Sequence, residues 1–69
     1  MTTPDRLADT QARLRKLTGK ASRLKLDLHD LAEDLPTGWE TILDVATRTY
    51  EAYAEIDRLE RELAQGGAA

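Results

Sequence analysis

Apolar residues recur along the chain at spacings of three and four, and they do so twice. The first series runs Leu7, Leu14, Leu17, Ala21, Leu24, Leu28, Leu31, Leu35, with Thr10 filling one weak position. The second runs Ile42, Val45, Thr49, Ala52, Ile56, Leu59, Leu63. Alternation of three and four is the signature of a helix with one narrow apolar seam. Two long helices are therefore predicted, about 4–34 and about 38–65, with a turn at 35–38 and a frayed tail at 66–69.

Punctuation supports this division. Proline stands only at positions 4 and 36, and glycine at 19, 38, 66 and 67. Thr3 suits an N-cap and Pro4 the first helical position. Pro36 ends the first helix, because a residue preceding proline avoids the helical region. Thr37-Gly38-Trp39-Glu40 reads as a capping box opening the second, and Gly66-Gly67 as its stop. Gly19 costs about 1 kcal/mol relative to alanine, yet the seam continues through it.

So short a connection makes the helices antiparallel. With Leu31 set against Ile42, the numbers of opposed residues sum to 73. Ala21 then meets Ala52, and two small side chains form a waist where the backbones approach most closely. In this register Arg13, Lys16, Lys20 and Arg23 fall opposite Glu51, Glu55, Asp57 and Glu60, an intramolecular partner for the basic stripe.

The second helix carries more apolar surface than one partner needs. Trp39, Leu43, Ala46, Tyr50 and Tyr53 form a second stripe beside the seam, again spaced by three and four. Burying one large side chain contributes about 1.5–3 kcal/mol, so these five are read as a dimer interface. The expected fold is all-α: an antiparallel two-helix hairpin dimerising into a rod-like four-helix bundle. On the first helix, Ala12, Gly19 and Leu26 share the face away from the seam, making Leu26 a contact point for a further partner.

Size and composition point the same way. A chain of 69 residues is one domain at most and rarely buries enough apolar surface alone. It has no cysteine, which removes disulfides and thiolate-held metals. Oligomerisation is the remaining remedy. No apolar run approaches the roughly 20 residues that span a bilayer, and the N-terminus lacks signal-peptide character. A cytoplasmic protein without membrane contact is expected.

Charge is unevenly spread. Residues 1–26 hold seven Lys/Arg and two Asp, whereas residues 27–44 hold six acids and no Lys or Arg. The net charge of −3 disfavours general nucleic-acid binding. Asp27, Asp30, Glu33, Asp34, Glu40 and Asp44 surround the turn. Those in the last third of the first helix oppose its dipole, and such rule-breaking positions are enriched at functional sites.

Candidate chemistry is sparse. His29, the only histidine, stands one turn before Glu33. The pair is a weak metal candidate, completed only if a second copy shared the site; a solvated histidine beside a glutamate is the plainer reading. No nucleophile–base set, phosphate-binding glycine loop or concavity is indicated. The chain is read as no enzyme, with no cofactor and no small-molecule substrate.

The segment Leu28-His29-Asp30-Leu31-Ala32-Glu33-Asp34-Leu35-Pro36, with Trp39 three residues on, is distinctive. With Leu26-Asp27, Glu40, Val45-Ala46, Thr49-Tyr50 and Ala52-Tyr53, it resembles a family of small Rop-like proteins encoded in bacterial nitrogen-fixation gene clusters. The resemblance covers nearly the whole chain. It implies a hairpin that dimerises into a four-helix bundle similar to the plasmid-copy regulator Rop, and a role in nitrogenase biosynthesis or maintenance. It carries no catalytic residue. His29, Asp30, Glu33, Asp34 and Trp39 are the candidates for binding a nitrogen-fixation protein. The alternatives are Rop-like RNA binding through Arg13, Lys16, Lys20 and Arg23, and metal handling through His29 and carboxylates.

Overall fold

The structure, a computed structural model, describes residues 3–68, with side chains described over 6–65. Helix α1 spans Thr3–Asp34 and helix α2 spans Ile42–Ala68, joined by a turn and one 3-10 turn at Trp39–Thr41. The two helices pack side by side as a hairpin measuring 51 × 15 × 15 Å. Its radius of gyration is 15.7 Å, against about 11 Å for a compact domain of this length. The molecule is a rod one helix pair thick.

The seam residues lie where the spacing predicts. Ala21, Ala52 and Leu59 are buried, and Leu14, Leu17, Leu24, Leu28, Val45, Ile56 and Leu63 are half-buried. Both alanines of the waist are buried, because small side chains let the helices close, and Leu59 is buried as deeply further along the seam. Leu59 is the one large side chain buried among the described residues, as expected when a core is only one seam wide. The two threonines in the seam are accommodated locally. Thr10 Oγ1 donates to the Arg6 carbonyl at 3.0 Å and Thr49 Oγ1 to the Val45 carbonyl at 2.8 Å. Each hydroxyl thus returns to its own helix and asks nothing of the seam.

The turn departs from the expected chemistry. The cap is Gly38, with φ 82° and ψ 9° in the left-handed region, and no side-chain hydrogen bond accompanies it. The capping box expected from Thr37 and Glu40 is replaced by a backbone solution. Thr37 N–H donates to the Asp34 carbonyl at 3.0 Å, and Thr41 N–H to the Gly38 carbonyl at 3.0 Å. Thr41 Oγ1 donates to that same carbonyl at 2.8 Å. The 3-10 turn occupies residues where the spacing predicts the opening of the second α-helix. The seam also opens at this end: Leu35 and Ile42 are exposed.

At the far end α2 continues through Gly66 and Gly67 to Ala68, past the expected stop. The Thr3 cap rests on a side chain outside the described residues, as does Ala69 of the tail.

Candidate functional site

Two features of this rod can contact another molecule, and they lie on opposite edges of the seam. The first is the apolar stripe of α2 and its leading turn. Leu43 is 80% exposed, Tyr50 75% and Trp39 61%. Tyr53 is also exposed and Ala46 half-buried. The spacing of three, four and three places Leu43, Ala46, Tyr50 and Tyr53 in one line along α2, and Trp39 stands exposed on the 3-10 turn that leads into it. Of the five sequence-predicted interface residues, four lie on α2 and Trp39 on the turn before it. Leu35 and Ile42 at the turn are exposed as well. Leu26 is exposed on α1, away from the stripe.

The second feature is the charged edge. Lys20, with Leu17 and Leu24, lines an open groove shared with Arg48, Glu51 and Ala52 of α2. Arg13 and Lys16 line the next stretch with Glu55 and Leu59. The helices therefore meet close to the expected register. The expected cross-helix ion pairs do not form. Among the described residues the ion pairs lie within α2: Arg48 with Asp44 at 3.3 Å, Arg61 with Asp57 at 3.1 Å, and Arg58 with Glu55. Partners one turn apart on a helix are already adjacent, whereas spanning the groove would order two long side chains for a small return. Asp57 and Glu60 sit on the apolar-stripe side of α2, since they continue the spacing of Tyr50 and Tyr53; that geometry removes them from the basic stripe. The Arg58 guanidinium is held above its ordinary value by the hydrogen bond it donates to Glu55 and by that carboxylate's charge.

His29, Asp30, Glu33 and Asp34 are exposed on the last turns of α1, and Trp39 is exposed just across the turn. They form a prominent tip rather than a cavity. Among the described residues, no three His, Asp or Glu side chains converge as a metal would require. None of the described helices is long and apolar enough to cross a membrane.

Comparison with known proteins agrees with this geometry. A family model described as Rop-like matches residues 5–67. A UPF0437 protein in the nifX-nifW intergenic region of Frankia alni is 76% identical over 53 residues, covering 77% of this chain. The chain spans 65% of that protein's length. A UPF0437 protein of a Nostoc species is 46% identical, over 83% of this chain and 80% of its own. A solved structure of a DUF683-family protein from the cyanobacterium Cyanothece 51142 superposes with a TM-score of 0.78 at 46% identity. That match covers 81% of this chain and 92% of the other. A hairpin with this seam and turn, matched along nearly its whole length, belongs to the Rop-like family.

Proposed function

We propose that this protein is a non-enzymatic interaction module that dimerises into a four-helix bundle and serves as an accessory factor in nitrogen fixation, in nitrogenase assembly or maintenance. The observation that carries the reading is the exposure of Leu43, Tyr50 and Tyr53 along one line of α2, with Trp39 exposed on the turn that leads into it. Aromatic residues dominate interface energetics, and a second hairpin laid along this line would supply the core thickness one seam lacks. The nitrogen-fixation assignment draws on the Frankia relative, which is encoded between nifX and nifW. The tip residues His29, Asp30, Glu33, Asp34 and Trp39 are the proposed contact for a nitrogen-fixation protein.

Sedimentation equilibrium tests the dimer. At high salt the wild-type chain should sediment as twice its 7.7 kDa, and the Leu43→Glu, Tyr50→Glu double variant as a single chain. A wild-type monomer at micromolar concentration would end the reading. Pull-down from nitrogen-fixing cells, comparing wild type with Asp30→Lys, Glu33→Lys, tests the tip; equal recovery of partners would remove it.

A further inference from the structure

The charged edge of α1 has an order that the dimer interface does not use. Its cations are Arg6, Arg13, Lys16, Lys20 and Arg23, interrupted only by Asp9; Asp27, Asp30 and Asp34 follow. From Arg6 to Asp34 the spacing alternates three and four without a break, so all nine charges lie in one line beside the seam. All nine are exposed. Among the described residues none is engaged in an ion pair. On α2, Glu51 and Glu55 flank the cations across the groove. Glu55 is held by Arg58, and Asp44, near the acidic end, by Arg48. The line is therefore a rod-long dipole, positive toward the open end of the hairpin and negative toward the turn.

A sequence of positive then negative charge along one line is complementary to itself when turned by a two-fold axis. We propose that this edge binds the same edge of a second copy, antiparallel, so that the basic half of each α1 faces the acidic half of the other. Setting residues whose numbers sum to about 47 against one another brings Arg13 to Asp34, Lys16 to Asp30 and Lys20 to Asp27, each twice. Arg23 falls at the axis, with Asp27 of each copy about one turn away. The overlap from residue 13 to residue 34 is about 33 Å long at the helical rise. Oppositely charged surfaces of this kind choose partner and orientation, and their attraction weakens with added salt. A uniformly acidic or basic partner would suit only half of the line, which is why the second copy is the occupant the pattern fits. Lying across the seam from Trp39 and Tyr50, this contact joins hairpins independently of the apolar stripe.

Sedimentation of the full chain at low and high salt provides the test, with the high-salt species as baseline. The association constant for doubling that species should be at least about tenfold greater at about 20 mM than at about 500 mM salt, where the screening length falls severalfold. Lys16→Glu, Lys20→Glu and, separately, Asp27→Lys, Asp30→Lys should each abolish the low-salt doubling while retaining wild-type helicity. Mixed in equal amounts, the two variants should recover it, because each then meets its opposite. Salt-independent mass in the wild type, undiminished doubling in either variant, or failure of the mixture to associate would overturn the proposal. The apolar contact is judged separately, by Leu43→Glu, Tyr50→Glu at high salt.

Discussion

Gly38 sits against the end of Leu31: a Cβ placed on the glycine would lie 3.1 Å from Leu31 Cδ1. Its φ of 82° belongs to the left-handed region that side-chain-bearing residues avoid. Two separate costs therefore attend Gly38→Ala. The backbone cost is about 1–2 kcal/mol, and the contact with Leu31 adds to it. Chemical denaturation should report a loss of at least about 1 kcal/mol. In a double-mutant cycle, Leu31→Ala should relieve the contact part alone. Wild-type stability in Gly38→Ala would show that the turn does not need its glycine.

The waist of the hairpin gives a second prediction. Ala21 and Ala52 are both buried, and their size sets how closely the helices approach. Ala21→Leu or Ala52→Leu must push the seam apart, at about 1–3 kcal/mol for overpacking. Thermal melting followed by circular dichroism should show each variant less stable than wild type. Ala54→Leu, on the exposed face of α2, is the control and should change little. Equal effects at positions 52 and 54 would refute the waist.

Gly19 behaves oppositely to Gly38. It lies inside α1, and a Cβ there would meet nothing within 4 Å. Gly19→Ala should stabilise the fold by about 1 kcal/mol, the difference in helix propensity. A drop in the denaturation midpoint would mean that the outer face of α1 is covered in the assembled protein, and that the absent side chain makes room for a neighbour.

The contrast between the two glycines shows what the chain reveals before it is folded. The seam is legible because each of its positions repeats at a helical period, and Ala21 and Ala52 can be paired from register alone. The turn is not. Thr37 and Glu40 have the spacing of a capping box, but the backbone reverses through Gly38 and satisfies its donors with carbonyls of Asp34 and Gly38 itself. Sequence spacing also overstates the link between Lys20 and the acids of α2. It gives the height of a side chain along the rod but not the reach across a groove, and Glu55 finds Arg58 closer. The interface candidates are legible as a surplus stripe of apolar positions; that Leu43, Tyr50 and Tyr53 stay exposed in the hairpin is seen only with the helices in place.

Leu26 and Leu43 are both exposed leucines, 57% and 80%, yet they have different neighbours. Leu43 stands in line with Tyr50 and Tyr53, whereas Leu26 stands on the outer face of α1, flanked by Lys25 and Asp27. Single exposed apolar residues are ordinary on protein surfaces, and contiguous ones mark contacts. Leu43→Glu should therefore weaken the proposed dimer strongly, by more than about 2 kcal/mol, the range of an interface hot spot. Leu26→Glu should leave its dissociation constant within about twofold, a change of less than about 0.5 kcal/mol. Analytical ultracentrifugation of the two variants at matched concentration measures both. Comparable weakening by Leu26→Glu would place the second hairpin on α1 instead, and the apolar stripe of α2 would then face a different molecule.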